Sequence, residues 1–163
     1  MTRSLVAACA ASLALLPIAA VAQEERGGPS QDAAWHNDQQ LALASRQASD
    51  GWYWMDGGLL WRRVAGDGSG ARPSINDTVT LHYAGTLVDG TEFDSSYARD
   101  EPATFPLRAL IRAWQMAVPH MGVGDTIEIA APAMLAYGPI GRGPIPGGAT
   151  LLFKIELLAI PSQ

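Results

Sequence analysis

A chain of 163 residues suits one packed domain with short additions, and its 48% hydrophobic content is enough to bury a single core. The net charge of −5 argues against nucleic acid or an anionic membrane surface as the main partner. The chain opens like an export signal. Arg3 supplies a positive start, 5–20 is apolar or small apart from Ser12, and Ala20-Val21-Ala22 is an A-x-A cleavage site that would leave Gln23 first. The apolar run is short for a span of about 20 residues, which favours cleavage over a transmembrane anchor. No integral membrane span is then expected. Cys9 is the only cysteine and stands too early in the run to be a lipidation site. It would leave with the signal, and the remainder would have no disulfide, thiolate metal site or cysteine nucleophile.

The division expected is 1–22 signal, 23–57 polar leader with a short helical extension, and 58–163 main domain. Residues 23–29 are polar and rich in Gly and Pro, as a flexible leader is. Ser30 is placed to cap a helix over 31–48, with Gln31 and Asp32 in its first turn and Asp50-Gly51 after its end. Its stripe of Trp35, Leu41 and Leu43 is weak. The sequence leaves open whether it lies on the domain or forms a homodimer contact.

Strands follow. The first covers 59–64. The glycines of 66–70 have the wrong spacing for a dinucleotide fingerprint. Over 77–88 the alternation puts Val79, Leu81 and Tyr83 on one face and Thr78, Thr80 and His82 on the other. Asp89-Gly90 turns this strand into 91–94. A short strand is expected over 104–107 and a helix over 109–118, with Leu110, Trp114, Ala117, Val118 and Met121 at helical spacing and Pro119 as its stop. Residues 122–125 turn into a strand over 126–131, and 132–137 holds at most one helical turn. The Gly/Pro stretch 138–148 reads as a long loop without an element of its own. The last strand covers 149–160. The economical fold is α+β, an antiparallel sheet curled around one short helix.

Ordinary catalytic machinery is missing from the sequence. His36, His82 and His120 are scattered without ligand spacing, and there is no H-E-x-x-H or G-x-S-x-G motif. No metal or cofactor is expected. What stands out is aromatic and aliphatic: Tyr83, Phe93, Ile111, Trp114, Tyr137, Ile145 and Phe153, with Asp94 among them. Taken singly each reads as core, although tyrosine and aspartate need polar partners there.

The segments VTLHYAGTLVDGTEFDSSY (79–97), LIRAW (110–114), LAYG (135–138) and IPGGATLLFKIELL (145–158) occur in that order. Together they resemble the FKBP-type peptidyl-prolyl cis–trans isomerases, and SYARDEPATF (96–105) resembles the exported bacterial, Mip-like branch. The resemblance covers about 58–160. It implies a sheet curled around a helix with an apolar active-site hollow between them. The catalytic group it implies is Tyr83, Phe93, Asp94, Ile111, Trp114, Tyr137 and Phe153, with Arg99, Leu110 and Ile145 binding substrate. Trp114 would be the floor under the proline ring. The Ile111 N–H and the Tyr137 hydroxyl would hold substrate carbonyls, and Tyr83, Asp94 and Arg99 would form the polar side. The implied partners are proline-containing, unfolded or partly folded exported polypeptides, and macrolide inhibitors such as tacrolimus and rapamycin. The implied place of work is the periplasm. The chain departs from the family at Ala103, where a larger apolar residue is common, and at Arg142 and Pro144. Gly147-Gly148 is a further departure, expected to loosen the rim. An active isomerase is the first reading. The alternatives are a proline-binding chaperone module with little turnover, and a structural domain whose aromatics are all core.

Overall fold

The computed structural model describes residues 32–161. The expected signal and leader, and Ser30 and Gln31, lie outside the described residues. Helix α1 spans Ala33–Ala44, and Asp32 is its cap, accepting a hydrogen bond from the Trp35 N–H at 2.9 Å. It is shorter than the expected 31–48 because Gln47 is extended (φ −113°, ψ 157°) and a separate turn follows over Ala48–Asp50. The Arg46 guanidinium folds back onto the Ala42 carbonyl and caps the helix end.

Among the described residues nine strands follow: β1 (Tyr53–Trp54), β2 (Leu60–Ala65), β3 (Thr78–Thr86), β4 (Glu92–Ser95), β5 (Ala103–Pro106), β6 (Thr126–Ala131), β7 (Gly141–Arg142), β8 (Ile145–Pro146) and β9 (Leu151–Ala159). Seven form one antiparallel sheet in the order β1-β2-β6-β9-β3-β4, with β5 also paired to β3. The period-two pattern sets which face is buried. Val79, Leu81 and Tyr83 of β3 lie inward beside Leu151, Phe153, Ile155 and Leu157 of β9, all in one core cluster.

Helix α2 (Arg112–Ala117) lies against this inner face and buries Ala113, Trp114 and Ala117. The helix expected over 109–118 is therefore broken into pieces. A single turn (Leu107–Ala109) precedes α2, and Leu110 (φ −86°, ψ 172°) and Ile111 (φ −60°, ψ 153°) between them are extended. Gln115 makes the break tolerable, because its amide donates to the Arg108 and Leu110 carbonyls at 3.1 and 2.7 Å. Pro119, which cannot donate a helical hydrogen bond, falls in the turn Val118–His120 after α2.

The outer face carries a smaller cluster of Trp52, Leu60 and Ala130, with Leu43 of α1 and Leu152 packed on it. Arg46 and Arg62 stack over Trp52, 5.0 and 4.8 Å from the ring centre. Gln39, the buried residue of α1, accepts from the Thr150 N–H at 2.8 Å, and the Thr150 hydroxyl donates to the Gln39 carbonyl at 3.3 Å. The helix thus lies on its own domain, tied to the start of β9.

Candidate active site

Each wall of the inner hollow comes from a different element. β3 supplies Tyr83, β4 Phe93 and Asp94, β5 Phe105, and β9 Phe153. The extended break before α2 supplies Leu110 and Ile111, α2 supplies Trp114, and the segment after β6 supplies Tyr137 and Arg142. Together they enclose about 250 Å³. Trp114 is 4% exposed. Tyr83 and Phe153 meet it edge-on, with ring centres at 5.3 and 5.4 Å and interplanar angles of 80° and 87°. Phe93 continues the pattern against Phe153 at 5.7 Å and 87°. Edge-to-face contacts of this kind favour fixed ring positions, so the floor is pre-shaped. The Trp114 indole N–H has no acceptor among the described residues.

The polar side is a closed triangle. The Tyr83 hydroxyl donates to Asp94 Oδ2 at 2.5 Å, Arg99 Nη1 donates to Asp94 Oδ1 at 2.5 Å, and Arg99 Nη2 donates to the Tyr83 oxygen at 3.1 Å. Burial, and then the bond to Asp94, push the Tyr83 hydroxyl above its ordinary range. Burial alone would raise the Asp94 carboxyl, but the bonds from Tyr83 and Arg99 outweigh it and hold the carboxyl low. A carboxyl lowered by folding makes its full contribution above an unfolded pKa of about 3.9 and loses it only as pH falls through the folded value. Tyr83 stays protonated and Asp94 ionised between about pH 5 and 8. The expected result is a flat kcat/KM profile over that range. A bell-shaped profile would show that a titrating group takes part.

Eight of the ten residues implied by the resemblance line the hollow. Arg99 stands beside it, half-exposed, and reaches it through Asp94 and Tyr83. Ile145 does not line it: it is 7% exposed and belongs to the core cluster. The Ile111 N–H and the Tyr137 hydroxyl have no partner among the described residues. None of the three histidines lines the hollow. His82 bonds Ser96 and stacks on Tyr97 at 4.7 Å, His120 stacks on Trp61, and His36 meets Trp35 edge-on.

Sequence reasoning missed three contributors. Phe105 lines the hollow from β5, two residues after Ala103, set by its register opposite Val79. Arg142 lines the hollow because 138–148 is not a bare loop. It contains the hairpin β7–β8, with Gly141 opposite Pro146, Arg142 opposite Ile145, and Gly143-Pro144 as its turn. Gly147 sits where this loop closes on itself. A Cβ there would stand 1.9 Å from the Pro139 carbonyl oxygen, so glycine is what lets the two passes of the loop close on each other. The third is Gly85 of β3. A Cβ there would lie 2.6 Å from Phe93 and 2.8 Å from Phe153. Gly85→Ala is expected to displace both rings and cut turnover about tenfold while costing about 1–3 kcal/mol of stability. Unchanged turnover would remove Gly85 from the site's design.

A hollow of rings between an antiparallel sheet and one short helix defines a class. The sequence pattern of the FKBP-type peptidyl-prolyl cis-trans isomerase matches residues 70–158, more than half of the chain, and the protein belongs to that family. Among its relatives is the FKBP-type isomerase FkpA of Aeromonas hydrophila, 47% identical over 118 residues, or 72% of this chain and 44% of the relative. Another is the isomerase Mip of Coxiella burnetii, 44% identical over 105 residues, or 64% of this chain and 46% of the relative. The chain thus spans about half the length of these curated relatives. The crystal structure of a peptidyl-prolyl cis-trans isomerase from Pseudomonas syringae matches with a TM-score of 0.73 and 31% identity, over 84% of this chain and 100% of that one.

Proposed function

We propose that the protein accelerates cis–trans rotation about X–Pro bonds of unfolded or partly folded exported polypeptides. The observation that carries this reading is the hollow itself, floored by Trp114 and walled by Phe93, Phe105 and Phe153, with one self-satisfied polar cluster on its side. Resonance in the C–N bond sets a rotation barrier of about 18–20 kcal/mol. The planar amide has more charge separation than the twisted one and is better stabilised by water. Seating the proline ring on Trp114 removes that water, and binding that suits the twisted amide lowers the barrier. The Ile111 N–H and Tyr137 hydroxyl, without other partners among the described residues, would hold the carbonyls on either side of the rotating bond. No covalent bond forms and no proton need move. Uncatalysed isomerisation takes tens to hundreds of seconds and can limit folding, which gives an exported isomerase its task.

Residues 1–22 act in this reading as an export signal, 23–57 as leader and helical extension, and 58–163 as the isomerase domain, working in the periplasm. Among the described residues no helix is long and apolar enough to cross a membrane. A second reading, a proline-binding chaperone with little turnover, is favoured by Met134 and Ile140. These are 78% and 91% exposed on the segment that bears Tyr137, where they could hold apolar stretches of a client. One experiment separates the two: refolding of a protein whose slow phase is X–Pro isomerisation. A slow phase that quickens in proportion to added protein, and is restored by tacrolimus, supports the isomerase. A higher refolding yield at an unchanged rate supports the chaperone reading and contradicts the first.

A further inference from the structure

We propose that Arg142 makes this hollow select X–Pro bonds flanked by acidic residues. The inference rests on the isomerase reading and names the substrate class of the same site. Two charged side chains line the hollow, Asp94 and Arg142. Asp94 is already neutralised by Arg99 at 2.5 Å and takes the Tyr83 hydroxyl as well. Arg142 is exposed, and its guanidinium makes no hydrogen bond or ion pair with any described residue. One cationic group is therefore left over at the mouth, although the whole chain has a net charge of −5. The overall charge would repel acidic segments, while the unpaired charge at the hollow attracts them.

The backbone beneath Arg142 is built to hold it there. Its partner across the hairpin, Ile145, is buried in the core at 7% exposure and pins the strand. The Gly141 N–H donates to the Tyr137 carbonyl at 3.1 Å, and the Gly148 N–H to the Gly138 carbonyl at 2.8 Å. The close approach of Gly147 to Pro139 draws the loop shut. Arg142 thus stands on the same braced segment as Tyr137, on the rim where chain flanking a bound proline must leave. A guanidinium there has its planar donor fork free for a carboxylate.

The test uses acetylated, amidated peptides with a fixed Phe-Pro bond and one Glu, Gln or Lys on either side of it, so that the variable residue supplies the only charge. The kcat/KM order expected for the intact chain is Glu above Gln above Lys, with Glu exceeding Lys about fivefold on at least one side. The gap is expected mainly in KM. It should narrow as salt rises from about 0.05 M to about 0.5 M, where charges are screened over only a few ångströms. Arg142→Gln should flatten the order, Arg142→Glu invert it, and Arg142→Lys keep it. Equal rates for the three peptides on an active wild-type protein would overturn the proposal, as would an order that survives Arg142→Gln. The salt series on the wild type decides the matter even if a variant fails to fold. Acceleration of none of the peptides would instead contradict the isomerase reading on which the proposal rests.

Discussion

Replacing Trp114 with alanine should lower kcat/KM for a Phe-Pro peptide by roughly 10- to 100-fold. That range follows from losing the apolar burial of one ring, about 1.5–3 kcal/mol, in the state that limits the rate. The same change should cost about 3–5 kcal/mol of stability, because Trp114 is 4% exposed and its removal leaves a cavity. Tyr83 and Phe153 would each lose the ring face they meet edge-on. Trp114→Phe is the necessary companion. It keeps an apolar floor and gives up an indole N–H that has no acceptor among the described residues, so most of the turnover should survive. Thermal denaturation beside peptide kinetics separates the two effects. If Trp114→Ala stayed folded and fully active, the floor would lie elsewhere.

The largest effect on stability away from the hollow is expected at Asp125. This carboxylate is 2% exposed and ties its own turn to the distant residues Arg63 and Gly68. It accepts from the Gly68 N–H at 2.9 Å, from the Gly122 N–H at 2.8 Å and from Arg63 Nε at 3.0 Å. Burial alone would raise its pKa, but the two backbone donors and Arg63 hold it below the usual range. Its stabilising contribution is therefore complete above the unfolded carboxyl value of about 3.9 and is lost as pH falls through the folded value. Asp125→Ala strands two buried N–H groups and leaves the Arg63 guanidinium only its bond to the His120 carbonyl. It should cost about 3–5 kcal/mol and lower Tm by about 10 °C or more. Asp125→Asn keeps one acceptor and should cost less. Because Asp125 does not line the hollow, turnover well below Tm should persist. A Tm within about 2 °C of wild type would show that Arg63 and the 66–70 loop find other partners.

Strand patterning was the most readable part of the chain. In β3 and β9, alternation places Val79, Leu81, Tyr83, Phe153, Ile155 and Leu157 on the core side, and that is where they lie. The rings of the hollow were readable only through the resemblance of the ordered motifs to the family, since each ring taken singly reads as core. Features set by long-range contacts were less readable. Asp125 looks like a turn residue beside Gly124, and only packing shows it holding Gly68. The break at Leu110 and Ile111 is hidden because their spacing fits a helix, and Gln115 satisfies the carbonyls that the break exposes. β1 is two residues long, too short for any alternation to register. The hairpin β7–β8 is hidden by glycine and proline, which mark turns without saying that two short strands pair between them. Gly85 occupies an ordinary inward strand position, and only the rings above it reveal why no side chain fits.

The measurement that tests the central claim most directly is exchange NMR on an acetylated Phe-Pro peptide, with the protein present at a small fraction of the peptide concentration. Exchange between the cis and trans signals should quicken from tens or hundreds of seconds to well under a second. The rate should rise in proportion to protein, leave the cis/trans ratio unchanged and fall to the uncatalysed value with tacrolimus. Peptide signals that shift and broaden on binding, with cis–trans exchange no faster than in buffer, would contradict the account. The hollow would then be a proline-binding site that does not turn the bond.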